Sequence, residues 1–240
     1  MDVGELIECR IIKRTSKFTV LVEVGGESVL AYINNTGRLL QFLSRGKVGY
    51  LTEISSGVSK LKYRLIGVED QGLAALVDTR LQEKAFEKLV QGGFIPWLRG
   101  YAFVKRYPRV QGKLFDFLLR SDGCDLLVEL KSAVLRLDNH IAGYPDAPTK
   151  RGRDQIILLG DLVSKGLYKG LVVFISGLPG VKVFQIYCGA DKLIEQAVKY
   201  AAKRGVVFRS ISLYLDPYRR KVVLENSDLP VILKCTEQST

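Results

Sequence analysis

The first seventy-odd positions alternate short apolar segments with tight polar turns, a pattern typical of β-strands. A glycine pair, Gly25-Gly26, separates the second and third segments, and it is a hairpin signal because glycine accepts positive φ. Residues 34–43 predict a turn that leads into a short amphipathic helix. The five predicted strands cover residues 6–13, 18–24, 28–33, 47–54 and 61–69. This pattern predicts an OB-like barrel over residues 1–77, although an SH3-like barrel has a similar strand count.

After residue 77 the pattern changes. Apolar positions at helical spacing predict a helix over residues 81–91, and residues 136–150 are polar and predict a loop. The other predicted elements are strands over 98–107, 113–120 and 124–131, a helix from 149 or 150 to 164, a strand over 171–175, a strand over 181–187, a helix over 191–204, a strand over 206–214 and a β-rich stretch ending at 233. Helix, three strands, helix, strand is the core order of the PD-(D/E)xK nuclease fold. We therefore predict a mixed α/β domain of that class over residues 78–240.

Three charged residues fall in the second and third strands of this nuclease-like core. Asp116 lies in the second strand, and Glu129 and Lys131 lie in the third. The side-chain period of two places Glu129 and Lys131 on one face and Leu130 on the other. Because a tight turn makes the two strands antiparallel neighbours, we expect Asp116 to face Glu129 across the pair. A surface ion pair on an amphipathic strand is the alternative interpretation of the acid-x-Lys triplet.

Two facing carboxylates indicate a site for a hard divalent cation. They repel each other, and one takes up a proton unless a cation lies between them. Mg²⁺ or Mn²⁺ meets this need because both prefer carboxylate and water oxygens. Such a metal polarises a phosphodiester and activates a bound water, while an ammonium group offsets charge that develops on the phosphate. We therefore predict Asp116, Glu129 and Lys131 as catalytic residues, with Asp116 and Glu129 as the metal ligands.

The predicted helices supply further candidates. Glu83 and Glu87 lie four positions apart on one face of the first helix, where either could add an acid to the site. A solvated face paired with neighbouring lysines is the commoner use of such residues. Arg151, Arg153 and Gln155 open the helix that begins near residue 150. Because basic residues at a helix N-terminus oppose the macrodipole, their position indicates an anionic ligand such as a nucleic-acid phosphate.

The charge balance narrows the class of partner. The 240 residues carry a formal net charge of +11, and +9 of it falls after residue 80. A strong basic excess is typical of proteins that bind polyanions, because neutralised phosphates release counterions. A basic protein kept soluble by its charge is the alternative. We therefore expect a nucleic-acid partner, with duplex DNA as the first choice.

Cysteine usage and hydropathy predict the cellular compartment of the protein. No apolar run reaches the roughly 18 residues of a membrane helix, and the acidic N-terminus is unlike a signal peptide. The four cysteines are scattered, which argues against a disulfide framework or a zinc ribbon. The single histidine, His140, excludes metal sites that need two histidines. These features predict a protein of a reducing, cytoplasmic compartment that has no membrane partner.

Several motifs resemble the sugar fermentation stimulation protein A family over nearly the whole chain. The motifs that carry the resemblance are Asn35-Thr36-Gly37-Arg38-Leu39, Val77-Asp78-Thr79, Asp116-Phe117-Leu118-Leu119, Val128-Glu129-Leu130-Lys131-Ser132 and Pro145-Asp146-Ala147-Pro148-Thr149-Lys150-Arg151-Gly152. The resemblance implies an OB-like domain followed by a PD-(D/E)xK-like domain. It also implies DNA binding and a suggested regulatory role in sugar metabolism, and it points to the same catalytic-type trio.

The resemblance makes residues 35–38 a family-specific loop near the substrate or the domain interface, and Asn35, Thr36 and Arg38 join the expected nucleic-acid contacts. It also draws attention to Asp146, Thr149 and Arg151 as additional candidate site residues. This chain departs from the family pattern at several positions. Asn34 stands where the family has proline, and Gln155 stands where it has histidine. The family has a Ser-Arg pair just before the aspartate, and this chain has Lys113-Leu114 there. The arginine contact is therefore lost or replaced by Lys113, which joins the expected nucleic-acid contacts.

Three functions fit these expectations. The first is a DNA-binding protein with a metal-dependent phosphodiesterase site. The second is a non-catalytic DNA-binding regulator that keeps the nuclease fold. The third is a single-strand or RNA binder that uses the barrel, with Tyr32, Tyr50 and Tyr63 as stacking platforms, although aromatic residues of this kind more often belong to a core. The sequence does not predict an oligomeric state.

Overall fold

The computed structural model describes residues 1–54 and 61–235. Within these residues the helices are α1 (Thr79–Gln91), α2 (Lys150–Ser164) and α3 (Ile194–Ala202), with one 3₁₀ turn at Pro96–Leu98. The strands, in chain order, are β1 (Ile7–Ser16), β2 (Thr19–Val24), β3 (Glu27–Ile33), β4 (Val48–Glu53), β5 (Tyr63–Asp70), β6 (Leu73–Leu76), β7 (Ala102–Arg106), β8 (Arg109–Val110), β9 (Lys113–Leu114), β10 (Phe117–Ser121), β11 (Cys124–Ala133), β12 (Arg136–Asp138), β13 (Ile141–Tyr144), β14 (Lys169–Ser176), β15 (Val183–Ile186), β16 (Val207–Asp216), β17 (Lys221–Leu229) and β18 (Val231–Ile232).

The first five strands form a closed barrel. β1 pairs with β2 and β4, β2 pairs with β3, and β4 pairs with β5, all antiparallel. A parallel contact between β3 and β5 closes the ring. Alternating apolar residues fill its interior, among them Val20, Val22, Ile33, Leu51 and Leu65. Because alternation puts every second side chain inside, these strands form the predicted OB barrel, and that prediction is confirmed.

The second half folds around a mixed sheet in the order β7-β10-β11-β14-β16-β17. β11, β14 and β16 are parallel to one another, and the outer pairs are antiparallel. α1 packs on one face through Phe86, and α2 and α3 pack on the other through Leu159 and Val198. A sheet covered on both faces explains the continuous apolar run of β14. This arrangement confirms the predicted restriction-endonuclease-like α/β domain, and β6 connects its sheet to the barrel.

Two local predictions are wrong. The short helix predicted within residues 34–43 is a turn, in which Leu39 adopts φ 51° and its carbonyl accepts hydrogen bonds from the Phe42 and Leu43 N–H groups. These three apolar side chains are buried in the barrel core, which closes the turn before a helix can extend. The loop predicted over residues 136–150 contains β12 and β13. β13 pairs in parallel with β15 and buries Ala142 and Tyr144. The polar residues around this short strand obscured its pattern in the sequence.

The expectation of no disulfide is also wrong. Cys188 and Cys235 form a disulfide across a separation of 47 residues, a spacing that carries no sequence signal. Their sulfurs lie near Glu195, but oxidised sulfur offers no thiolate to a metal. Burial raises the pKa of the Cys9 thiol to about 12, and Cys124 is exposed. No helix in the described part of the chain is long and apolar enough to cross a membrane. The cytoplasmic location stays a prediction.

Candidate active site

The chain interrupts the predicted second strand at Phe115-Asp116. Residues 113–114 form a small hairpin with β8, and the strand resumes as β10. The interruption lets Phe115 and Phe117 bury themselves in separate apolar clusters on the two faces of the sheet. Asp116 therefore lies in the gap between β9 and β10, and the prediction of a continuous strand through Asp116 is wrong.

The register of β10 and β11 brings the two acids together. Phe117 pairs with Val128, and the Asp116 N–H donates to the Val128 carbonyl at 3.1 Å. Asp116 directly precedes this pair, and the charge of Glu129 acts on its carboxyl group. The Asp116 carboxylate accepts a hydrogen bond of 2.6 Å from the Leu130 N–H. Asp116 is thus anchored to the backbone of the strand that carries Glu129.

Glu129 and Lys131 lie on the face of β11 that α2 covers. Glu129 is 4% exposed and Lys131 is 7% exposed. The Lys131 Nζ donates to Glu129 Oε1 at 2.6 Å and to Gln155 Oε1 at 3.0 Å. A buried ammonium needs such acceptors, because an unpaired buried charge is strongly disfavoured. Glu129, Lys131 and Gln155 therefore form one buried polar cluster, and the half-buried Asp116 borders it through the Leu130 N–H.

Burial dominates the electrostatics of this cluster. It raises the pKa of Asp116 well above its usual range, and the neighbouring charge of Glu129 raises it further. Burial also raises the pKa of Glu129, against the opposing effect of Lys131. For Lys131, burial acts to lower the pKa, but the charge of Glu129 and other nearby groups outweighs it, and the net direction is upward. The cluster favours added positive charge.

One oxygen of the cluster has no partner. Among the described residues, Glu129 Oε2 is buried and accepts no hydrogen bond, which is a costly condition for a carboxylate oxygen. A divalent cation would satisfy it and would relieve the repulsion between Glu129 and Asp116. The donor set fits a hard cation, and Asp116 and Glu129 are the residues that could hold one.

Glu83 lies close enough for its charge to raise the pKa of both Asp116 and Glu129. Its carboxylate accepts a hydrogen bond of 2.6 Å from the Tyr107 hydroxyl, which raises the pKa of Tyr107 to about 12. Glu83, Asp116 and Glu129 do not bring three carboxylate oxygens within 4.8 Å of one another in the described structure. Glu87 pairs instead with Arg106 of β7. Glu83 therefore borders the site without joining its ligand set.

The loop after β3 lies between the two domains. Asn35 is buried, donating to the Val77 carbonyl and accepting from the Gly37 N–H, whereas Thr36 and Arg38 are exposed. Asp146 accepts from the Leu39 N–H at 2.9 Å and thereby joins this loop to the nuclease-like domain. Asn35 thus has a structural role in this geometry, and the exposed side chains are those available to a ligand.

Gly37 leaves room for the Asp146 carboxylate where this loop meets the nuclease-like domain. A Cβ atom on Gly37 would lie 2.4 Å from an Asp146 carboxylate oxygen. The loop is also held by Arg14, whose guanidinium donates to the carbonyls of Gly37 and Asn35. Sequence reasoning missed Arg14, because nothing in an exposed-looking strand arginine indicates that it binds a loop more than twenty residues away.

The start of α2 divides the predicted nucleic-acid contacts into two groups. Arg153 is tied to Asp191, and Gln155 is buried against Lys131. Arg151 is exposed, and its charge lowers the pKa of Glu129 against the larger effect of burial. Thr149 caps the helix by accepting from the Gly152 N–H. The structure therefore leaves Arg151 free to meet a ligand beside the site, while Arg153 and Gln155 already have protein partners.

Lys113 and Lys150 both donate to Asp154 of α2, at 3.2 and 3.0 Å. This links the β8–β9 hairpin, just ahead of Asp116, to the first turn of the helix. A pocket of 270 Å³ opens beside this region, between the barrel loop and the nuclease-like domain. Lys131 and Thr149 line it, together with Thr36 and Asp146. The candidate site is thus bordered by both domains.

Comparisons with known proteins agree with this architecture. A family model described as SfsA N-terminal OB domain matches residues 12–77, and one described as Sugar fermentation stimulation protein RE domain matches residues 80–219. A sugar fermentation stimulation protein homolog of Pyrococcus furiosus is 39% identical over 216 residues, covering 90% of this chain and 92% of that protein. The homolog of Archaeoglobus fulgidus is also 39% identical, covering 97% and 98%.

A solved structure extends the likeness to three dimensions. The structure of Pyrococcus furiosus SfsA in complex with Ca²⁺ superposes with a TM-score of 0.91 at 37% identity, covering 96% of this chain and 97% of that one. The two family models together span the barrel and most of the α/β domain. The chain therefore belongs to the sugar fermentation stimulation protein (SfsA) family.

Proposed function

We propose that this protein is a nucleic-acid-binding phosphodiesterase that works with a divalent metal ion. The observation that carries the proposal is the unpartnered, buried oxygen of Glu129 next to Asp116, whose pKa is raised. In structural clusters nearly every buried carboxylate oxygen has a hydrogen-bond partner. Two acids and an ammonium group held in this way suit phosphodiester chemistry.

Asp116 and Glu129 would hold the metal, with Mg²⁺ or Mn²⁺ as the proposed ion. Both residues offer carboxylate oxygens, the ligands that hard divalent cations prefer. The similar Pyrococcus furiosus protein has been solved with Ca²⁺, another cation of this class. A bound ion would polarise the phosphodiester and lower the pKa of a coordinated water.

The protein's own residues would supply the rest of the chemistry. Lys131 is held by Glu129 and Gln155, so its ammonium stays close to the acids and can stabilise negative charge on the phosphate. Arg151 is exposed beside Glu129, where it can bind and orient the nucleic-acid backbone. Glu83, which accepts a hydrogen bond from Tyr107, would add negative charge near the two acids and so increase their need for a cation.

Duplex DNA is the proposed substrate. The charge excess lies in the domain that holds the cluster, since residues after 80 carry +9 of the net +11. Three basic side chains lie near the N-terminus of α2: Lys113, Lys150 and Arg151. Phosphate contacts made by such residues give affinity without sequence preference. Binding is therefore expected to weaken steeply as salt increases.

Metal-dependent cleavage tests the proposal directly. Purified protein is expected to nick or degrade DNA in Mg²⁺ or Mn²⁺, and Asp116→Asn should lower the rate by about 10³-fold because it removes a ligand charge. The matched control is Asp122→Asn in the exposed turn between the same two strands, where asparagine tolerates the φ of 49°. Equal rates for the two variants, or no cleavage of DNA or RNA with either metal, would contradict the proposal.

Retained DNA binding without any metal-dependent turnover would instead favour a non-catalytic regulator with a nuclease fold. The same purified protein tests this alternative. A regulator should bind duplex DNA in a salt-sensitive way, and Asp116→Asn should leave that binding unchanged. The orphaned oxygen of Glu129 argues for the enzyme, because a regulator has no need to bury an unpaired carboxylate.

A second candidate is single-strand binding by the barrel. Phe18 is 43% exposed, its ring centroid lies 6.4 Å from that of Tyr32, and the Lys17 ammonium lies 5.5 Å from it. An exposed ring beside a half-buried one and next to a cation suits base stacking. Of the other predicted platforms, Tyr50 and Tyr63 pack against apolar cores. In competition binding, Phe18→Ala should weaken single-stranded DNA binding and spare duplex DNA. Equal effects on both would rule this candidate out.

A further inference from the structure

Gln155 connects the two chain segments that carry the acids. It is 6% exposed on the buried face of α2. Its Nε2 donates to the Leu114 carbonyl at 2.8 Å, and its Oε1 accepts from the Lys131 ammonium at 3.0 Å. Leu114 stands two residues before Asp116, and Lys131 stands two residues after Glu129. One side-chain amide therefore spans both halves of the cluster.

The Lys131 side chain needs this second anchor. A lysine has four rotatable bonds and three N–H donors, and Glu129 Oε1 accepts only one of them. A single carboxylate fixes the distance of an ammonium group but leaves its direction free. If Glu129 also binds a cation, its interaction with Lys131 is shared. The Gln155 carbonyl is the other acceptor that the described structure gives to Lys131.

The Leu114 contact fixes the orientation of the amide itself. A glutamine can turn its amide by half a rotation, which would point an N–H₂ group at the ammonium. The hydrogen bond to the Leu114 carbonyl prevents this, because only the Nε2 group can donate to it. The same bond holds the β9 end of the interrupted strand, immediately ahead of Asp116.

We propose that Gln155 is a positioning residue that aims the Lys131 ammonium at the phosphate and holds the Asp116 segment in register with β11. The inference rests on the proposed phosphodiesterase function. It assigns Gln155 an internal role in place of direct phosphate contact. Gln155 itself touches neither substrate nor metal in this role.

The variants are chosen to separate positioning from general packing. Gln155→Leu removes both hydrogen bonds at nearly constant volume. Gln155→Glu keeps an acceptor for Lys131 but cannot donate to Leu114 when ionised. The matched control is Gln82→Leu: Gln82 is also a buried helix glutamine, 2% exposed, and its Nε2 donates to the Leu76 carbonyl at 2.7 Å, away from the cluster.

Steady-state cleavage is the first readout. Displacement of a catalytic group by about 1 Å can cost on the order of 10²-fold in rate. Gln155→Leu is therefore expected to lower kcat by about 10²-fold while KM for DNA changes less than about twofold, since the residue does not touch substrate. Gln155→Glu should recover part of kcat, and Gln82→Leu should keep both constants. Equal kcat losses for Gln155→Leu and Gln82→Leu would overturn the inference.

The second readout does not depend on cleavage. In ¹⁵N-labelled, metal-free protein, the buried Lys131 ammonium should give a slowly exchanging NMR signal, assigned by its loss in Lys131→Met. We expect Gln155→Leu to shift or abolish the signal and Gln82→Leu to preserve it. An unchanged signal in both Gln155 variants overturns the inference even if the wild type cleaves DNA. A change confined to the Gln155 variants upholds the anchoring of Lys131 even if no cleavage is found, in which case only the proposed function fails.

Discussion

Two buried ion pairs in this protein differ in how completely their carboxylates are used. Asp78, fully buried at the start of α1, accepts from the Arg64 guanidinium through both oxygens and caps the helix through the Leu81 N–H. Glu129, almost as buried, gives one oxygen to Lys131 and leaves the other without a partner.

The difference separates an ion pair whose carboxylate is fully satisfied from one whose carboxylate is satisfied on one oxygen only. Desolvating a carboxylate is costly, and Asp78 recovers the cost through hydrogen bonds to two groups. Glu129 recovers less of it, and burial together with the charge of Glu129 raises the pKa of the neighbouring Asp116. Glu129 thus keeps an unsatisfied buried oxygen beside the half-buried Asp116, two residues from Lys131, which lines the interdomain pocket. On this arrangement we base the proposed cation site.

The largest expected effect on stability is at the Arg64–Asp78 pair. Asp78→Asn should lower the free energy of unfolding by about 3 kcal/mol, because it leaves the partly buried Arg64 without its counter-charge. The urea midpoint measured at constant m-value checks this. Asp122→Asn, in an exposed turn, is the control and should change stability by less than about 0.5 kcal/mol. A loss below about 1 kcal/mol for Asp78→Asn would erase the distinction between the pairs.

The next effect concerns the cation that Asp116 and Glu129 would bind. A cation that binds only the folded state stabilises it by about 2.7 kcal/mol at a concentration of 100 times Kd. Ca²⁺ or Mn²⁺ is therefore expected to raise the melting temperature of the wild type and of Asp78→Asn alike. Asp116→Asn should abolish the shift. A shift that survives Asp116→Asn would place the bound ion elsewhere.

The sequence predicts the elements of this site better than their connections. Period-two alternation and the Asp122-Gly123 turn are local, and they sufficed to predict the antiparallel pair β10–β11 and to place Lys131 on the same face as Glu129. They did not predict the break in the strand at Asp116. The contact between Gln155 and Lys131 depends on how α2 docks across β11, a packing relation between segments 24 residues apart that no local pattern encodes.

The same limit explains the other misses. The disulfide joins Cys188 to Cys235 only because β15 and β18 are parallel neighbours. The helix expected before β4 has apolar residues at helical spacing, but the barrel interior takes up the same side chains in a turn around Leu39. In each case a tertiary contact decided between local alternatives of similar propensity.

The pH dependence of stability sharpens the comparison further. Burial and the charge of Glu129 raise the folded-state pKa of Asp116 above its ordinary value of 3.8, so the folded protein binds its proton more tightly than the unfolded chain. Stability from this group is complete below that ordinary value and is lost as pH rises through the folded pKa. One such proton contributes a slope of at most about 1.4 kcal/mol per pH unit.

Chemical denaturation of the metal-free protein across this range gives the measurement. The wild type should lose stability relative to Asp116→Asn as pH rises above about 4, because asparagine cannot ionise yet still accepts from the Leu130 N–H. At pH 7 the variant should be at least as stable as the wild type. Parallel pH profiles for the two proteins would mean that Asp116 is ordinary in the folded state.

The smallest effect is expected at a pair that is satisfied but exposed. Arg106 and Glu87 are joined by two contacts, yet more than half of the Arg106 side chain faces solvent. Exposed pairs of this kind contribute between about 0 and 1 kcal/mol, since water and salt screen them. Glu87→Gln should therefore change the urea midpoint little, and 1 M NaCl should remove what difference there is. If Glu87→Gln cost as much as Asp78→Asn, the number of contacts rather than burial would set the strength of these pairs. The burial of Glu129 would then no longer be a reason to treat its unsatisfied oxygen as costly.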